Sequence, residues 1–137
     1  MDVLVDTSIW SLALRRNDQH SNPILKDFKQ LVFDTRVQII GPIRQEILSG
    51  ISHQEQFVTL KEKLKVFEDI KLVSQDYETA AEMFNTCRKK GVQGSHVDFL
   101  ICAVANNYEL SIFTSDNDFK HYKKYLPITL YEFKNEN

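Results

Sequence analysis

Five carboxylates stand at four separated places in the chain: Asp6, Glu46, Asp98, and the neighbours Asp116 and Asp118. No histidine or cysteine accompanies them at ligand-like spacing. His20, His53, His96 and His121 form no HExxH-type pair, and Cys87 and Cys102 are too few and too far apart for a metal knuckle or a disulfide framework. An oxygen-only donor set suits a hard divalent ion, Mg²⁺ or Mn²⁺, which keeps water ligands and shares its coordination with a substrate phosphate. Gathered without an ion these acids would repel, since two unit charges ~4 Å apart cost ~4 kcal/mol at an effective dielectric of 20. A bound cation removes the conflict and suits in-line attack of activated water on a phosphodiester. No Ser/His or Cys/His arrangement offers a nucleophilic alternative.

The elements that must position these acids follow from periodicity and punctuation. Residues 1–5 are a short apolar run that meets Asp6 at once, as a buried parallel strand ending at a polar rim would. Helices are predicted over residues 7–14 and 24–32, then a strand over 37–40 and, after Gly41-Pro42, a helix over 42–48. Phe57, Leu60, Leu64 and Phe67 mark an amphipathic helix over 54–67. A strand at 70–73, helices at 75–90 and 95–106, a strand at 110–114, a helix at 118–125 and a strand at 128–133 complete the chain. The order β-α-α-β-α-α-β-α-α-β-α-β predicts an α/β layered fold with a mainly parallel central sheet flanked by helices. In such sheets function gathers at the carboxyl ends of strands. Asp6, Asp116 and Asp118 directly follow strands, Glu46 lies one turn into the helix after its strand, and Asp98 opens a helix, so all five can converge.

With 137 residues, 42% of them hydrophobic, the chain fits one domain over residues 1–137 with a normal core. Neither a membrane-spanning run nor a leader-type amino terminus is present, which predicts a cytoplasmic protein. Cys102 lies within FLICAVA and reads as a buried, reduced thiol. The formal net charge of −2 gives no bulk signal for nucleic acid. Setting the five acids aside leaves 14 against 17 Lys and Arg, so the acidity is concentrated where metal would neutralise it.

Each acid also has an ordinary role open to it. Asp6 can cap the first helix, Ser95 to Asp98 fit a capping box, Glu46 can pair with Arg44 on a solvated helix, and Asp116-Asn117-Asp118 can be a turn. Trp10 is expected in the core.

Four segments resemble, in order and spacing, the motifs of PIN-domain ribonucleases: VDTSIW (5–10), RQEILSG (44–50), GSHVDFLICAVA (94–105) and FTSDNDF (113–119). More narrowly, the chain resembles the VapC toxins of type II toxin-antitoxin systems. The resemblance implies a PIN-like three-layer fold in which Asp6, Glu46, Asp98 and Asp116 are the catalytic acids that hold Mg²⁺ or Mn²⁺, with Asp118 a fifth ligand. Which of Asp116 and Asp118 coordinates directly stays open. Thr7, Ser8 and Thr114 would orient carboxylates or a phosphate oxygen. It further implies cleavage of RNA by metal-activated water to 5′-phosphate and 3′-hydroxyl ends, a VapB-like antitoxin and a homodimer. Arg15, Arg16, Arg44 and Arg88 are candidates to hold RNA phosphates, and the helix over 54–67 could meet an antitoxin. Two other readings remain: a PIN nuclease of RNA processing or turnover without an antitoxin, and a non-catalytic acidic metal- or RNA-binding module.

Overall fold

The apolar opening run forms strand β1 (Val3–Val5), and all three of its side chains are fully buried. Successive strand side chains point to opposite faces, so both faces of the sheet are covered. The structure, a computed structural model, describes residues 1–14 and 22–133. Arg15 and Arg16 therefore lie outside the described residues. After β1 come α1 (Thr7–Ala13), α2 (Pro23–Phe33), β2 (Val37–Gln38), α3 (Gly41–Leu48), α4 (Gln54–Leu64), α5 (Ser74–Lys89), α6 (His96–Asn107), β3 (Ser111–Phe113), α7 (Asp118–Lys123) and β4 (Thr129–Leu130). The four strands make one parallel sheet in the order β2-β1-β3-β4, the α/β layered architecture expected from the sequence.

Register places the ends of the strands that matter. Val3 and Leu4 face Val37 and Gln38 of β2, while Val3, Leu4 and Val5 face Ser111, Ile112 and Phe113 of β3. The Asp6 N–H extends this ladder by donating to the Phe113 carbonyl at 2.9 Å, which brings the first acid beside Thr114. Local signals start the helices as expected. Asn22 accepts the Ile24 N–H at 2.9 Å ahead of Pro23, and Pro42 lies in the first turn of α3. α6 buries seven consecutive residues, Phe99, Leu100, Ile101, Cys102, Ala103, Val104 and Ala105, and packs on α5 and β3. Trp10 is in the core, its indole N–H donating to the Val5 carbonyl at 3.2 Å between the edges of Phe28 and Phe67. Burial pushes the Cys102 thiol far above its ordinary value, which keeps it protonated.

The expected strand at 70–73 is not formed. Ile70 makes a single ladder bond, its N–H donating to the Ile39 carbonyl at 2.9 Å, beside an isolated bridge between Ile39 and Asp69. Val73 is already the N-cap of α5, its N–H taken at 2.9 Å by the carboxylate of Asp76. That carboxylate also accepts from Asn107 Nδ2 (2.9 Å) and Tyr108 Oη (2.8 Å), which fastens the start of α5 to the end of α6. Burial raises the pKa of Asp76, but the three hydrogen bonds outweigh it and hold the carboxyl below its ordinary value. Among the described residues, no helix is long and apolar enough to cross a membrane.

Candidate active site

Asp6 leaves β1 at the N-cap of α1, yet its side chain makes no capping bond. Its Oδ2 instead accepts the hydroxyls of Ser8 and of Thr114, each at 2.8 Å. The two hydroxyls are themselves held. Ser8 Oγ accepts the Ser115 N–H at 3.1 Å, and Thr114 Oγ1 accepts the Asp116 N–H at 3.0 Å. The end of β1 and the loop after β3 are thus locked around one buried carboxylate.

Glu46 reaches the same edge from α3 and accepts the Thr7 hydroxyl at 2.7 Å. The alternative pairing with Arg44 is not made, since that guanidinium is turned to Asp69. Asp98 lies in the first turn of α6, where its N–H is capped by Ser95 Oγ at 3.0 Å and its Oδ2 accepts the buried phenol of Tyr122 at 2.6 Å. Asp116 accepts the Asp118 N–H at 2.9 Å, so the turn read from DND is present and also fixes the Asp116 carboxylate. One oxygen from each of Asp98, Asp116 and Asp118 lies within 4.8 Å of the others.

Asp6, Thr7, Ser8, Glu46, Asp98 and Asp116 line one cleft of about 580 Å³, with Gln45 and Ser49 on its α3 side. Among the described residues that line it, none is Lys, Arg or His. The charge is felt at Asp98: burial, with added repulsion from Asp6 and Asp116, pushes its carboxyl above the ordinary value against the hydrogen bonds of Tyr122 and Ser95. Burial and the Asp98 hydrogen bond push the Tyr122 phenol up, so it remains a donor. Clustered carboxylate oxygens, with no soft ligand and no balancing cationic side chain among the described lining residues, fit a hard divalent cation.

The two basic candidates among the described residues, Arg44 and Arg88, fall elsewhere. Arg44 donates to Asp69 Oδ1 (3.0 Å), to the Leu64 carbonyl (3.0 Å) and to the Phe67 carbonyl, so its guanidinium closes the end of α4. Arg88 lines a separate depression of about 180 Å³ with Phe84, Val92, Gln93, Gly94 and Phe99. Sequence reasoning missed Tyr122, whose hydroxyl meets Asp98 only through the packing of α7 on α6. The approach of FTSDNDF to a short helix carrying a tyrosine was the sole hint.

Fold and site together define an α/β protein with an oxygen-lined acidic cleft at the carboxyl edge of a parallel sheet. The family model of the PIN domain matches residues 3–125, and the chain belongs to the PIN-domain family. Among solved structures it is similar to FitAcB from Neisseria gonorrhoeae, with a TM-score of 0.77 at 16% identity over 98% of this chain and 99% of that one. VapBC2 from Rickettsia felis, bound to a DNA fragment from their promoter, gives 0.76 at 20% over 96% and 98%. VapBC-1 from nontypeable Haemophilus influenzae gives 0.75 at 15% over 98% and 100%. No curated protein matches the sequence.

Proposed function

We propose that the protein is a metal-dependent endoribonuclease, a VapC-like toxin that hydrolyses RNA phosphodiester bonds and is restrained by a VapB-like antitoxin. One observation carries the reading: Asp6, Glu46, Asp98 and Asp116 converge from distant parts of the chain on one cleft that, among the described residues, is lined by no cationic side chain, with Asp118 beside them. Membership of the PIN-domain family and the likeness to the VapBC2 and VapBC-1 structures support it.

Asp6, Asp98, Asp116, Asp118 and Glu46 would hold Mg²⁺ or Mn²⁺. Such an ion, when bound, lowers the pKa of the attacking water and offsets charge on the departing oxygen. The chain's own part is orientation. Ser8 and Thr114 fix the Asp6 carboxylate, Thr7 fixes Glu46, and Tyr122 fixes Asp98. Ser8 already donates its proton to Asp6, which suits it to positioning rather than to nucleophilic attack.

Incubating the protein with structured RNAs in Mg²⁺, Mn²⁺ or EDTA tests the reading. Asp6→Asn and Asp98→Asn are expected to lower cleavage by more than about 100-fold, beyond the 10–100-fold typical of losing an outer partner, with circular dichroism unchanged. Undiminished cleavage by both variants overturns it, and EDTA-insensitive RNA binding without cut products favours a binding module instead.

The antitoxin part is supported by a shallow apolar groove of about 260 Å³ where Trp10, Phe28, Leu60, Leu64 and Phe67 meet, edged by Lys29 and Lys63. An amphipathic segment with acidic flanks fits that chemistry. Leu60→Glu is expected to abolish co-purification with the product of an adjoining small gene while RNA cleavage persists. Light scattering checks the homodimer that the toxin reading implies.

A further inference from the structure

Tyr122 is fully buried on α7, its ring centroid 4.8 Å from that of Phe99 and 5.1 Å from that of Phe119. Its hydroxyl reaches Asp98 Oδ2 at 2.6 Å by passing directly over the backbone of Gly94. A Cβ at position 94 would collide with the Tyr122 hydroxyl oxygen and lie 2.7 Å from its Cζ and 3.0 Å from Phe99 Cε2. Those distances are far inside van der Waals contact, so a side chain at position 94 could be accommodated only by moving the phenol off Asp98. Glycine at 94 is therefore what lets the phenol reach the carboxylate.

A carboxylate with one oxygen bound to a rigid buried donor is poorly disposed to bind an ion through both oxygens. That matters because Ca²⁺ takes six to eight oxygen ligands in flexible geometry and readily uses bidentate carboxylates, whereas Mg²⁺ demands near-octahedral coordination and keeps several waters. We propose that Tyr122, given its place by Gly94, is a positioning residue that makes Asp98 a one-oxygen ligand and so biases the cleft toward small octahedral cations, Mg²⁺ or Mn²⁺, over Ca²⁺. The inference rests on the reading that the cleft holds a divalent cation.

Calorimetric titration of the whole protein with MnCl₂ and with CaCl₂ separates the two ideas. The wild type is expected to bind Mn²⁺ in preference to Ca²⁺. Tyr122→Phe keeps the ring and removes only the hydroxyl; Mn²⁺ affinity should fall about 10-fold, as for other outer partners of metal ligands, while Ca²⁺ affinity holds or rises. Gly94→Ala retains the hydroxyl but forces it off Asp98, and should shift the preference in the same direction, which keeps the test open if one variant folds poorly. In RNA cleavage, the Mn²⁺ concentration giving half the maximal rate should rise with KM for RNA unchanged. Equal loss of both ions, or a lower melting temperature in EDTA with an unchanged Mn²⁺ to Ca²⁺ preference, assigns the tyrosine a merely structural role and overturns the proposal. Wild-type protein that binds neither ion overturns the metal reading and this proposal together.

Discussion

Two hydroxyls from opposite halves of the sequence share a single oxygen of Asp6. Because both act on one acceptor, their losses should not add independently. Ser8→Ala or Thr114→Val is expected to lower Mn²⁺-dependent cleavage about 10-fold and stability by about 1 kcal/mol, and the pair to cost less than the product of the single effects. Initial rates and urea midpoints for the three variants check this. Arg44 makes the opposite kind of claim. Its donors are spent on Asp69 and on the carbonyls of Leu64 and Phe67, so Arg44→Ala should cost about 1.5–3 kcal/mol of stability and leave KM for RNA alone. A raised KM with unchanged stability would restore the phosphate-binding role read from its position in the sequence. The acids were legible as residues because their types and their places after strands agree. What each carboxylate touches was not: capping and ligation make the same local demand at Asp6, and only the arrival of Thr114 separates them.

At the scale of elements, the fastening of α5 to α6 through Asp76 decides where a strand ends. The stretch after Asp69 has the β-branched, apolar composition of a strand, but the Asp76 carboxylate captures the Val73 N–H and turns it into a helix cap. Periodicity could not show this, since the competing bond comes from a side chain three residues on and is stabilised by Asn107 and Tyr108, more than thirty residues away. Asp76→Ala leaves three donors without their acceptor and should destabilise by about 1–3 kcal/mol at pH 7, measured by urea denaturation. The Asp76 carboxyl is held below its ordinary 3.8, so its ionised form favours the fold. Its contribution is present above about pH 4 and fades as pH falls through the lowered folded value, and the variant should lose less stability than the wild type across that acid range. The helices with clear caps, such as α2 behind Asn22 and Pro23, were legible to within a residue or two because one local signal sufficed.

For the molecule as a whole, the balance of charge is divided between an acidic cleft and a remainder with more Lys and Arg than Asp and Glu. The metal-free protein carries that repulsion as an internal cost, and relief of it should appear as stability. At 100 times its Kd, a divalent ion that binds only the folded state adds about 2.7 kcal/mol, seen as a melting temperature several degrees higher in MnCl₂ than in NaCl of equal ionic strength. Asp98→Asn should shrink that shift, and an unchanged shift would place the ion elsewhere. The parallel layered fold was legible from the alternation of strands and helices, because the two central strands, β1 and β3, are short and buried throughout.

The central position of β1 has a consequence for how the protein is made. Its partners on one side come early, in β2, but the strand and hydroxyl that complete Asp6 follow more than a hundred residues later. During synthesis the first acid emerges long before Tyr122 exists to seat Asp98, or Asp116 and Asp118 to join it. A translation product that stops short of β3 therefore has acids but no assembled cleft. An incomplete copy lacks the cleft, and whatever the cleft does begins only once the chain has passed that point.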